Sequence, residues 1–143
     1  MGSFCLHNNT ARPAVFLAGG IGIAPFISML TYATEEKLRH RIVLFYVNRY
    51  LEDVAFIDAL WKLETANPRF RFVPTLTRVA NNNGGKGKIG HISPETLLTR
   101  VKSLRGPIYY IAGPPTMVAS VRQTLGEEGV DEDDIRTEEF AGY

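Results

Sequence analysis

The sequence has one cysteine, Cys5, so no disulfide can close within the chain and no thiolate cage can hold a metal. Its three histidines, His7, His40 and His91, are too scattered to form a ligand motif, and no His-Glu-x-x-His occurs. No metal is therefore expected. Arginines and lysines never cluster as they would to track a phosphate backbone, which excludes nucleic acid as a partner. No apolar run reaches membrane-spanning length, and Met1-Gly2-Ser3-Phe4 lacks the basic start and apolar stretch of a signal peptide. Neither a membrane nor export is expected, and the lone thiol suits a reducing compartment, the cytoplasm. A Gly-x-Ser-x-Gly elbow and a phosphate-loop lysine are also missing, which leaves hydrolase and NTPase chemistry without support.

What remains is 143 residues, 45% hydrophobic and 22% charged, enough for one compact domain with a proper core. The net charge of +1 is unevenly distributed: residues 126–143 carry eight acids and one base, which leaves +8 over residues 1–125. That balance favours a small ligand bearing phosphate. Within the acidic stretch, Asp131-Glu132-Asp133-Asp134 lacks the alternating oxygen ligands and glycine of a calcium loop and reads as a solvated turn.

Five apolar, β-rich runs alternate with helical patterns: Ala14 to Ala18, Ile42 to Val47, Phe70 to Leu76, Ile108 to Ala112 and Ile135 to Phe140. The alternation predicts an α/β fold, a doubly wound parallel sheet with helices on both faces. The second and fourth runs show no period of two, as expected of central strands covered on both sides. Helical stripes are formed by Phe56, Ala59, Leu60 and Leu63, by Leu97, Val101 and Leu104, and by Val118, Val121 and Leu125. Ser93-Pro94-Glu95 predicts a cap and first turn for the second stripe, and Gly106-Pro107 its end. Ser3-Phe4-Cys5-Leu6 reads as a lone strand, Asn81 to Gly87 as an exposed loop, and His40 between Arg39 and Arg41 as a helix C-terminal charge cluster.

The strongest feature is Val15-Phe16-Leu17-Ala18-Gly19-Gly20-Ile21-Gly22-Ile23-Ala24-Pro25, a buried strand running through a glycine turn into a helix. Glycines clear the Cβ atoms that would block a pyrophosphate, and N–H groups at the helix start point at the charge. Pro25 falls where a missing N–H costs nothing. Such a turn can also occur with no ligand. A second one, Tyr110-Ile111-Ala112-Gly113-Pro114-Pro115-Thr116-Met117, repeats the pattern after another central strand. Ligands of doubly wound sheets lie across two such strand ends, at the point where the strand order reverses.

These motifs carry a resemblance to a known family. Gly19-Gly20-Ile21-Gly22-x-x-Pro25, Tyr46-Val47-Asn48-Arg49 with Asp53, and Gly113-Pro114-Pro115-x-Met117-Val118 resemble motifs of the NAD(P)-binding domain of the ferredoxin-NADP reductase superfamily. The ending Glu138-Glu139-Phe140-Ala141-Gly142-Tyr143 is similar to the terminus of bacterial members, and Gly2-Ser3-Phe4 to the last strand of the flavin-binding barrel that precedes this domain. The resemblance implies a five-stranded sheet of order 3-2-1-4-5 and delivery of hydride from NADH or NADPH to an FAD on a barrel absent from this chain. Residues 1–12 would be the tail of that barrel and residues 13–143 the nucleotide-binding domain. Implied partners are a flavin-binding domain or subunit and a ferredoxin-like or haem electron acceptor, with the isolated chain inactive. The alternative is a stand-alone, non-enzymatic NAD(P)H-binding or assembly module.

Residue by residue, the resemblance implies that Gly19, Gly20, Gly22, Ile23, Ala24 and Pro25 hold the pyrophosphate. Gly113, Pro114, Pro115 and Met117 would flank the nicotinamide. Ala112 stands where the family usually has cysteine, and Ala112, Gly113 and Phe140 would form the catalytic side. Thr77 and Arg78 are similar to a pair that holds the 2′-phosphate of NADPH, with Asn48 and Arg49 nearby; as ordinary strand-exit residues they would be solvated surface instead.

Overall fold

A computed structural model describes residues 4–48, 54–76 and 92–140. The five apolar runs form strands β1 (Ala14–Gly19), β2 (Ile42–Asn48), β3 (Phe70–Leu76), β4 (Ile108–Gly113) and β5 (Ile135–Glu139). All neighbours pair in parallel, in the order β3-β2-β1-β4-β5 implied by the resemblance. Helices α1 (Ile23–Glu35), α2 (Val54–Ala66), α3 (Pro94–Leu98) and α4 (Pro115–Glu127) complete the fold.

Strand alternation divides the core into two layers. Phe16, Ala18, Leu44 and Tyr110 face one side with Ile23, Phe26 and Leu30 of α1 and Leu60 of α2. Val15, Leu17, Phe45, Tyr109 and Ile111 face the other with Leu97 of α3 and Val118, Val121 and Leu125 of α4. Every residue of β1 and β4 is buried, which is why neither run shows alternation in sequence. Each large side chain so enclosed contributes roughly 1.5–3 kcal/mol from removal of apolar surface from water.

Along β3, an edge strand, the Phe70 N–H donates to the Asn67 carbonyl at 3.1 Å and the Phe72 N–H to the Glu64 carboxylate at 2.9 Å. Two residues further on, Pro74 has no N–H and is tolerated because the strand is at the edge.

Helix α3 is shorter than its apolar stripe predicts. Ser93 caps it, accepting from the Thr96 N–H at 3.2 Å, but the helix stops at Leu98 instead of continuing to Gly106-Pro107. The Thr99 hydroxyl donates to the Thr96 carbonyl, and the chain then turns so that the Leu104 carbonyl accepts from the Tyr109 hydroxyl at 2.6 Å. Val101 and Leu104 still pack on the second core layer, so their spacing reported burial and not helix.

Residues 4–6 form no strand. This segment crosses the face of the sheet, where no strand edge offers a ladder, and side chains hold it. Phe4 stacks on Phe26 at 5.5 Å between centroids and meets Tyr110 edge-on at 5.7 Å. Arg12 pairs with Asp134 at 3.0 Å and donates to the Gly106 and Pro107 carbonyls. His40 is likewise not in a helix-terminal charge cluster, because α1 ends at Glu35; it is buried, and its Nε2 lies 2.6 Å from the His7 carbonyl.

At the centre of this strap, the Tyr110 hydroxyl accepts from the His7 backbone N–H at 2.9 Å and from Arg136 at 3.2 Å. His7 Nε2 lies 2.7 Å from the Arg12 carbonyl and must donate to it, so Nδ1 is the acceptor facing the Tyr110 hydroxyl at 2.9 Å. Protonating His7 would aim a third donor at an oxygen with two acceptor places. Burial holds the His7 pKa below 6.5, His40, Arg136 and Arg12 lower it further, and the hydrogen bond to the Arg12 carbonyl opposes them.

The unfolded chain therefore binds this proton more readily than the folded one, and stability should fall as pH drops below about 6.5. Urea midpoints measured from pH 8 to pH 5.5 test this, with the fall expected to be smaller in His7→Gln, which cannot take up the charge.

Candidate functional site

The strand order reverses between β1 and β4, and from there α1 and α4 leave toward opposite faces of the sheet. Strand β1 ends at Gly19 and passes through one turn of 3-10 helix, Gly20–Gly22, into α1. Gly20 has φ +58°, a left-handed conformation that a side chain would strain. Strand β4 ends at Gly113, and Pro114 leads directly into α4. The two turns sit at the carboxyl ends of adjacent strands, the place where doubly wound sheets open a crevice.

Gly22 has a different reason for lacking a side chain than clearance for a ligand. A Cβ there would meet the Ala112 carbonyl oxygen, with the carbonyl carbon 2.6 Å away and the Gly113 nitrogen 3.0 Å away. The glycine lets the 3-10 turn lie against the end of β4. The Ile23 N–H donates to the Gly20 and Ile21 carbonyls and its side chain is fully buried, so Ile23 shapes the turn from within.

Neither α1 nor α4 has a side-chain cap, and neither has an acidic residue in its first turn. Helix α3, away from the crevice, is capped by Ser93 and carries Glu95 in its first turn. Two helix starts at one place thus carry neither a side-chain cap nor an acid in their own first turn, a setting that favours an anion. Pro25, third in α1, and Pro115, first in α4, fall where a helix lacks hydrogen-bond partners anyway. Ile21, 53% exposed, stands at the rim, with Ala24 and Pro115 also exposed and Pro114 half-buried.

The catalytic candidates divide by exposure. Phe140 follows β5, is partly buried against the first core layer, and its N–H donates to the Gly113 carbonyl at 2.9 Å. Gly113 and Phe140 therefore meet at the crevice. Ala112 is 0% exposed and its methyl lies in the core opposite Ala18, so it offers no surface to a ligand. Met117 is also buried, and Gly19 and Gly113 are enclosed beside it.

Strand β2 ends at Asn48 beside Leu76 of β3. Arg49, Asp53, Thr77, Arg78, the Asn81 to Gly87 loop, His91 and Tyr143 lie outside the described residues, as does the side chain of Asn48. Sequence reasoning missed the His7, His40, Tyr110 and Arg136 cluster, which joins residues up to 103 positions apart in hydrogen bonds and leaves no period or motif. Its His7 and His40 rings stand 4.9 Å apart, yet among the described residues no three metal-ligating side chains converge.

Comparison with known proteins gives a family match over residues 16–123, described as an oxidoreductase NAD-binding domain. The chain is 28% identical over 145 residues to the reductase component of propane 2-monooxygenase from Rhodococcus jostii, covering 97% of this chain and 38% of that protein. It is 31% identical over 144 residues to the 2-halobenzoate 1,2-dioxygenase electron transfer component of Burkholderia cepacia, covering 98% of this chain and 40% of that one. In structure it superposes on the Amycolatopsis cytochrome P450 reductase GcoB with a TM-score of 0.77 at 23% identity, over 99% of this chain and 42% of that chain. The chain thus spans under half the length of these relatives. Among its described residues no helix is long and apolar enough to cross a membrane.

If packing against β4 explains Gly22, Gly22→Ala should cost about 1–3 kcal/mol of stability in the absence of any ligand, the scale of overpacking a closed contact. Denaturant unfolding measures it, and an unchanged midpoint would return Gly22 to a purely ligand-facing role.

Proposed function

The chain belongs to the oxidoreductase NAD-binding domain family, and we propose that it is the nucleotide-binding half of a ferredoxin-NADP reductase-type enzyme and binds NADH or NADPH across the crevice between β1 and β4. The observation that carries this is the pair of helix starts, α1 and α4, both without side-chain caps and both opening on the same crevice. The backbone from Gly20 to Ala24 cradles the pyrophosphate, and the α1 dipole favours its charge. Gly113, Pro114 and Pro115 flank the nicotinamide, and Phe140, tied to Gly113, closes that side. When bound, the nicotinamide supplies a hydride to a flavin carried on a separate domain. This chain's share is geometry: it orients the ring and keeps its backbone dipoles fixed.

The whole protein is then a flavin-dependent reductase in the cytoplasm, with residues 1–12 leading from the flavin-binding barrel and electrons passing to an oxygenase, a ferredoxin-like protein or a haem protein. Similar proteins described as electron transfer or reductase components support this assignment. Thr77 and Arg78, with Arg49, hold the 2′-phosphate when the nucleotide is NADPH.

Calorimetric titration of the chain with NADH and with NADPH should give saturable binding, and no binding of either at millimolar concentration overturns the proposal. With a dye acceptor and no flavin domain the chain should not turn over. Arg78→Ala should weaken NADPH by about 1–3 kcal/mol and leave NADH nearly unchanged, the scale of a charge-assisted hydrogen bond. Equal losses would assign Arg78 to the shared part of the nucleotide.

A further inference from the structure

Strands β1 and β4 are paired from Ala14 with Ile108 to Ala18 with Ala112, and there the pairing ends. Gly19 continues alongside Val47 of β2, whereas Gly113 continues alongside Glu139 of β5. The sheet forks one residue before both glycine turns begin. Met117, the third residue of α4, puts its sulfur into this fork. It occupies the place that a Cβ on Gly19 would take, and lies 2.7 Å from where a Cβ on Gly113 would stand. The same Gly113 position is 3.4 Å from the Gly19 nitrogen and 3.5 Å from its Cα, so β1, β4 and α4 meet at a single thioether. Met117 is only 6% exposed, which removes it from direct contact with most of any bound molecule.

We infer that Met117 is a positioning residue whose thioether sets the separation of the Gly19 and Gly113 turns, and with it the span available to a dinucleotide. The inference rests on the nucleotide reading above and goes beyond it in assigning Met117 a spacing role in place of a binding one. An unbranched, polarizable side chain suits a fork that has glycine on both sides, since it fills the gap without a branch that would push either turn away. A Cβ on either glycine would meet the sulfur first. A ligand that touches one turn is indifferent to the width of the fork. One that bridges both turns is held in register only at the correct width, and misplacement on the ångström scale is expensive.

The test compares NADH, which bridges the two turns, with ADP, which engages the first alone, on the intact chain. Met117→Ala should weaken NADH about tenfold or more while ADP changes less than about twofold, and Met117→Leu, which restores the volume, should recover NADH to within about threefold. Far-ultraviolet circular dichroism establishes that each variant is folded. If Met117→Ala does not fold, Met117→Val, which is too short to reach the fork, carries the same expectation. Equal weakening of NADH and ADP would make Met117 an ordinary core residue and overturn the inference, as would unchanged NADH binding. Failure of the unsubstituted chain to bind either ligand is a separate outcome, which overturns the nucleotide reading and this inference together.

Discussion

Two neighbouring parallel strands whose helices depart toward opposite faces cannot both be covered at their carboxyl ends, because neither helix crosses the gap between them. Strands β1 and β4 meet this condition, with α1 over one core layer and α4 over the other. The glycines, the prolines and the uncapped helix starts all sit at the opening that results. Each has a local cause in that constraint: Gly20 turns the chain out of β1, Gly22 lets the turn rest on β4, and Pro115 begins α4 without delay. A setting that favours an anion emerges from the way the chain must leave the sheet, before any particular ligand is considered.

The strands were legible because burial on both faces leaves continuous apolar runs, and β3 matches its expected span of Phe70 to Leu76. The strand order itself came through resemblance, since no single run states which neighbour it pairs with. The stripe outruns α3 because Leu97 and Leu104 are core residues and Val101 packs against them, and spacing cannot distinguish a helix from a turn that turns the same positions inward. The segment around Phe4 and His7 was misjudged for a related reason. Its order comes from contacts with Tyr110 and Arg136, more than a hundred positions away, and not from any local preference.

The site was legible as a set of backbone requirements and less so as a set of side-chain roles. Sequence announces that no Cβ is tolerated at Gly22 but not that the neighbour it would strike is the Ala112 carbonyl. It likewise singles out Ala112 and Met117 by motif, whereas both lie behind the surface. The paired glycine turns mark two adjacent strand ends, and they leave open which residues there face outward and which hold the turns in shape.

The outer edge of β3 has a consequence for how copies of this protein behave beside one another. A foreign strand can add to a sheet only by finding outward-pointing donors at every second residue. From the start of β3 to Pro74, the Phe70 donor is taken by the Asn67 carbonyl, the Phe72 donor by Glu64, and Pro74 has none. The stretch from Phe70 to Pro74 therefore offers no free donor to seed a ladder, which hinders intermolecular sheet growth, and the fibrillar assembly that follows from it, along most of this edge.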